Sequence, residues 1–159
     1  MRFLWFGKKK AKVASTPPAP EAPKQEVYSV SGFVCDSNPD PSSRGSELNP
    51  HTINSAILSI LSEANSPADI AAQEFFQERG AIIMPISDYS FSPERGFSAR
   101  VIDGEIKRTV LIGNPEVIAR ATTPFSASIA AAVLSDPTSF VVAIDGIAYA
   151  NFGISKEVI

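Results

Sequence analysis

Few side chains in this sequence are of the types that do covalent chemistry, and none of them has a partner at a useful spacing. His51 is the single histidine and Cys35 the single cysteine of 159 residues. That excludes an internal disulfide and a Cys/His zinc cluster. No Ser/His/Asp set in a plausible order and no phosphate-cradling Gly-x-x-x-x-Gly-Lys loop occurs. His51 reads as an exposed or capping residue in a first helical turn, and Cys35 as a small buried apolar group. What remains is the chemistry of binding. Two β-favouring runs, Phe97 to Ile102 and Ile106 to Ile112, are joined through Asp103-Gly104, a pair that accepts the positive φ angles of a tight hairpin turn. Gly96 enters this hairpin and Gly113 leaves it. Both fall on its open edge, where a missing Cβ lets another group approach the backbone.

The remaining elements must position that edge. Val27 to Cys35 alternates as a first strand, and Asp36 to Leu48, rich in Pro, Gly and Ser, is a loop. Asn49-Pro50 caps a helix whose apolar face is Ile53, Ala56, Ile57, Ile60 and Leu61, ending near Glu63. Ser66-Pro67-Ala68-Asp69 starts a second helix, buried through Ile70, Ala71, Phe75 and Phe76 and stopped by Gly80. Ala81 to Ile86 is a strand candidate, at an edge or strand end because of Pro85. After the central hairpin, Asn114-Pro115 starts a helix to about Ala121, and Thr123-Pro124 another to about Leu134. Ser139 to Ile144 and Ile147 to Ile154 are strands around Asp145-Gly146. The sum is an α+β domain of about six mostly antiparallel strands and two helical pairs.

The stretch from Ser90 to Asn114, with what precedes it, resembles the nucleotide-binding (N) domain of P-type ATPases, most nearly the heavy-metal-transporting branch. In that family a glycine-containing loop leads into a strand, a hairpin follows, and the second strand ends in Val-Gly-Asn. Glu94-Arg95-Gly96-Phe97 and Ile112-Gly113-Asn114 are the equivalents. Upstream the family has Glu, then Ser three residues on, then His-Pro opening a helix. Glu63 and Ser66 keep that spacing, while Ala68 and Asp69 replace His-Pro and Glu94 replaces the first glycine of Gly-x-Gly.

The family's adenine lies in a pocket on the sheet, near the Glu and the His. The resemblance therefore implies Glu63, Gly96 and Gly113 as nucleotide contacts, with Ser66 shaping the helix start and no imidazole at Ala68. It implies weakened affinity, because Glu94 brings negative charge towards the phosphates; Arg95 beside it would either compensate or simply neutralise Glu94 in a surface pair. Another branch stacks adenine on a phenylalanine that precedes Ser-x-Asp/Glu-Arg. Phe91-Ser92-Pro93-Glu94-Arg95 resembles that variant and makes Phe91 a base platform, although Ile112 stands where that branch has lysine. The residues taken alone read otherwise: Phe91 and Phe97 as core aromatics, Glu63 as a solvated carboxylate, and the glycines as turn formers.

The family's phosphorylated Asp-Lys-Thr-Gly-Thr segment belongs to a separate domain and does not occur among the 159 residues. The expectation is a stand-alone, partly degenerate domain that binds ATP or another adenine nucleotide weakly, has no metal site and has no autonomous activity. The alternative is a non-catalytic interaction or regulatory module, with a protein partner, that keeps the fold without the ligand.

Composition bounds the partners. At 44% hydrophobic and 19% charged, the chain is long enough for one core. A net charge of -3 argues against nucleic-acid binding. No run reaches the roughly 18 apolar residues of a membrane-spanning helix, and a reducing cytoplasm fits the cysteine usage. Residues 1–26 read as a tail and Pro-rich linker, and 27–159 as the domain. Phe3, Leu4, Trp5 and Phe6 followed by Lys8, Lys9 and Lys10 would give weak contact with anionic lipid, placing the protein at the inner face of the membrane. A solubilising end is the plainer reading of the same residues.

Overall fold

The computed structural model describes residues 25–42 and 47–158. The aromatic and lysine-rich tail and nearly all of the Pro-rich linker expected before them lie outside the described residues. Tyr28–Ser155 forms one compact unit. In the described part of the other unit, residues 25–27 and 156–158, Lys156 Nζ pairs with Glu26 Oε2 at 3.0 Å.

The elements in chain order are β1 (Glu26–Cys35), α1 (Pro50–Leu61), α2 (Pro67–Glu78), β2 (Ile86–Ser92), β3 (Gly96–Asp103), β4 (Ile106–Gly113), α3 (Pro115–Ala119), α4 (Ala127–Ser135), β5 (Phe140–Ile144) and β6 (Ile147–Val158). The strands form one six-stranded sheet in the order β1-β6-β5-β4-β3-β2. Every neighbouring pair from β2 to β6 runs antiparallel. Five strands thus meander in chain order, and β1 joins at the far edge beside β6.

Side chains alternate across a strand, so one run of residues feeds two cores. Phe97, Ala99, Val101, Val110, Ile112, Val142 and Ile144 pack with α1 and α2 on one face. Leu111, Val141 and Ala143 pack with Ile118 of α3 and Ile129 of α4 on the other. In β6, Ala150 and Phe152 belong to the first core and Ala148 to the second. A register shift between Val142 and Ala143 permits that exchange of faces.

Three elements start or turn elsewhere than the sequence reading places them, and β6 runs on past Ile154 to Val158. The strand expected over Ala81 to Ile86 begins only at Ile86 and runs on to Ser92. Its supposed first residues lie along α1 instead. Ser55 Oγ accepts from Ile82 N at 3.0 Å, and Ser59 Oγ accepts from Met84 N at 2.7 Å while donating to the Ser55 carbonyl. These buried serine hydroxyls satisfy backbone donors that a neighbouring strand would otherwise take. The helix expected from Thr123-Pro124 starts at Ala127, with Ser126 at the N-cap position but no capping bond from its side chain. The central hairpin turns at Gly104-Glu105, one residue later than Asp103-Gly104, because Asp103 pairs with Ile106. Only Gly104 there has positive φ, the pattern of a type II′ turn. At Asp145-Gly146 both residues have positive φ, as a type I′ turn requires.

Candidate functional site

The connection between α1 and α2 carries Glu63 and Ser66, and local bonds fix its course. Gln73 Nε2 reaches back from α2 to the carbonyls of Leu61 at 2.6 Å and Ala64 at 3.0 Å. Ser66 is the N-cap of α2: its Oγ accepts from Asp69 N at 3.1 Å and donates to Asp69 Oδ2 at 2.6 Å. That hydroxyl is spent on the helix start, which is the shaping role expected of it. At the other end of the pair, His51 Nε2 lies 3.0 Å from the Gly80 carbonyl, and its backbone N–H donates to Asn49 Oδ1 at 2.8 Å. His51 therefore ties α1 to the end of α2, and its imidazole has a structural use.

The open edge of the β3–β4 hairpin is tighter than the sequence suggests. Gly96 has φ +82°, and a Cβ there would collide with the Ile112 carbonyl oxygen and come within 2.8 Å of Gly113 Cα. A Cβ on Gly113 would stand 2.9 Å from the Arg95 carbonyl oxygen. The two glycines face each other across the strands, so the crossing of the backbones itself demands them.

Around this edge, on the α1/α2 face, opens a cleft of about 660 Å³. Glu63, Ser66, Phe91, Gly96 and Gly113 all line it. Five of the six residues singled out in the sequence are thus brought together from four segments. The sixth, Arg95, is not among them. With Glu94, Ser98, Leu111, Ile118 and Arg120 it lines a concavity of about 470 Å³ on the α3/α4 face. Gly96 borders both hollows.

The cleft walls are aromatic. Phe97 is buried, the Phe91 ring lies 4.6 Å from it at a 40° tilt, and Phe91 itself is 52% exposed. The sequence reading of both rings as core holds for Phe97 and fails for Phe91, which stands near the end of an edge strand and is left half exposed among the described residues. Tyr89, Phe140, Asp69 and Asn114 also line the cleft, and none of them is a site candidate in the sequence. Tyr89 was missed because β2 was sought five residues too early; alternation from Phe91 would have found it. Asn114, which closes the Ile112-Gly113-Asn114 match, also fills the helix-cap role read from the sequence, its Oδ1 accepting from Val117 N at 3.0 Å.

Below Ala68 a smaller apolar cavity of about 90 Å³ shares Asp69, Phe97 and Phe140 with the cleft. An imidazole at position 68 would grow into that space, and alanine leaves it open. Burial pushes the Tyr89 hydroxyl above its ordinary range, and the charges of Asp69 and Glu63 raise it further. Burial also drives the Cys35 thiol up to about 11, with the adjacent Asp36 adding to the shift, so Cys35 is not a nucleophile at neutral pH. Among the described residues no group of three His, Cys, Asp or Glu is placed to hold a metal ion, and no helix is long and apolar enough to cross a membrane. The arrangement can hold a flat ring against aromatic walls with carboxylates at its rim.

No protein-family model and no curated protein sequence matches the chain. Solved structures do. The N-domains of the copper-transporting P-type ATPases HMA6 and HMA8 superpose with TM-scores of 0.56 each, at 15% and 17% identity; 80% of this chain covers 98% and 99% of theirs. The catalytic domain of the CPx-ATPase CopB-B matches with a TM-score of 0.54 at 16% identity. There 84% of this chain spans 39% of the other's length. The fold is therefore that of a P-type ATPase N-domain, as the resemblance implied.

Proposed function

We propose that the chain binds adenine nucleotide weakly in the cleft between the α1–α2 connection and the open edge of the β3–β4 hairpin. The supporting observation is the convergence on one hollow of Glu63, Ser66, Phe91, Gly96 and Gly113, residues picked from sequence alone at positions far apart in the chain. The half-exposed Phe91 ring offers a stacking face, and Glu63 an acceptor for the base's exocyclic amine. Arg95 stands outside this contact set, and so does Glu94, whose charge was expected to oppose phosphate. The weak affinity proposed rests instead on Ala68, which lines the smaller cavity adjoining the cleft rather than the cleft itself. An imidazole missing from the base's surroundings, at about 1.4 kcal/mol, corresponds to about tenfold in affinity.

The test is a titration of the full chain with ATP followed by amide chemical shifts. The expected result is a saturable set of shifts centred on Glu63, Phe91, Gly96 and Gly113 at millimolar ligand. No shifts in that set would reject the reading and favour the interaction module, which the exposure of Ile82 and Ile83, 56% and 59%, supports on independent grounds.

A further inference from the structure

The cleft is poorly built for phosphate. Two carboxylates, Glu63 and Asp69, line it, and among the described residues it has no lysine, arginine or histidine in its wall. Among the described residues of the unit, the arginines and the lysine lie elsewhere. Arg79 lies over the Phe75 ring, and Arg100, Arg108 and Arg120 each pair with a carboxylate. Lys107 stands near the far turn of the hairpin, and Arg95 lines the hollow on the opposite face. A helix N-terminus is a second source of positive potential. At α2 it is already answered by the Asp69 carboxylate, held by Ser66 Oγ at 2.6 Å, and α3, five residues long, carries Glu116 in its first turn.

The aromatic part of the wall suits an uncharged, donor-bearing ring system: the rings of Phe91, Phe97, Phe140 and Tyr89, with carboxylate acceptors beside them. We infer that the cleft takes the nucleoside end of its ligand, and that phosphates add no affinity there, so that adenosine binds at least as tightly as ATP. This rests on the adenine-nucleotide reading above and narrows it to the uncharged base and ribose. Screening then acts in an unusual direction. A phosphate held by cations loses affinity as salt rises, whereas here added salt shields phosphate from Glu63 and Asp69 and brings ATP closer to adenosine.

Adenosine, AMP and magnesium-ATP are titrated separately into the full chain, with affinity read from amide shifts of the cleft residues at low and at high salt. The expected result is adenosine binding as tightly as ATP or more so, with the gap closing as salt is added. Glu63→Gln should improve ATP relative to adenosine by about threefold, the size of one like charge removed from water-like surroundings. ATP binding the same residues more than threefold tighter than adenosine, and weakening with salt, overturns this inference while leaving the nucleotide reading intact. An ATP to adenosine ratio unmoved by Glu63→Gln also counts against it. Absence of cleft shifts with all three ligands removes the nucleotide reading, and this inference with it.

Discussion

Phe91 and Phe97 lie ring against ring, yet only Phe97 belongs to the core; Phe91 is half exposed at the end of an edge strand. A side chain left in that position contributes little to folding and much to whatever stacks on it. Phe91→Ala is therefore expected to weaken adenosine binding by about tenfold, within the range of base–aromatic stacking, and to cost less than about 1 kcal/mol of stability. Titration and urea unfolding of the same variant separate the two effects. Gly96 is the opposite case. It borders the cleft, but its positive φ and the Ile112 carbonyl oxygen against it make it indispensable to the strand crossing. Gly96→Ala should destabilise the protein by about 2 kcal/mol or more, read as a lower urea midpoint with or without nucleotide. The sequence marked Phe91 through its resemblance to an adenine-stacking segment and Gly96 through its place at the hairpin's open edge. It could not say which serves the fold, because that depends on how closely two backbones pass.

The elements were legible wherever a local signal governs them. Asn49-Pro50, Ser66-Pro67 and Asn114-Pro115 each place a capping side chain ahead of a proline, and each opens a helix at the expected residue. Illegible were the elements decided by distant partners. The stretch before β2 has the composition of a strand, but Ser55 and Ser59, more than twenty residues earlier, take its amide hydrogens. The start of α4 is similarly nonlocal: Ser128 Oγ, in its first turn, donates to Asp36 Oδ2 at 2.8 Å, tethering the helix to the residue after β1. Burial raises the Asp36 carboxyl's affinity for protons, but hydrogen bonds from Ser128, Ser126 and the Asn38 amide outweigh it and hold the group below its ordinary 3.8. A depressed folded value means the unfolded chain binds more protons, so the tether's contribution is complete above 3.8 and vanishes as pH falls through the lower folded value. Ser128→Ala should therefore lower the urea midpoint more at about pH 6 than at about pH 2.5. An equal deficit at both pH values would assign the loss to packing of α4 alone.

Across the molecule, a meander of five strands with helices on both faces follows from hairpin turns and alternating cores, and that much was readable as an α+β sheet. The pairing of the first strand beside the last was not, since no neighbouring residue specifies it. That closure puts the α1–α2 pair over the face that carries Phe97 and Ile112, and so sets Glu63 across a cleft from Phe91. The two hollows on opposite faces of one glycine edge are the feature on which the functional reading turns. Intermolecular nuclear Overhauser effects between the ring protons of adenine and the protein discriminate them directly. Contacts from the base to the rings of Phe91 and Tyr89 are predicted. Contacts instead to Leu111 and Ile118, beside Arg95 and Arg120, would put the ligand on the other face and contradict the account.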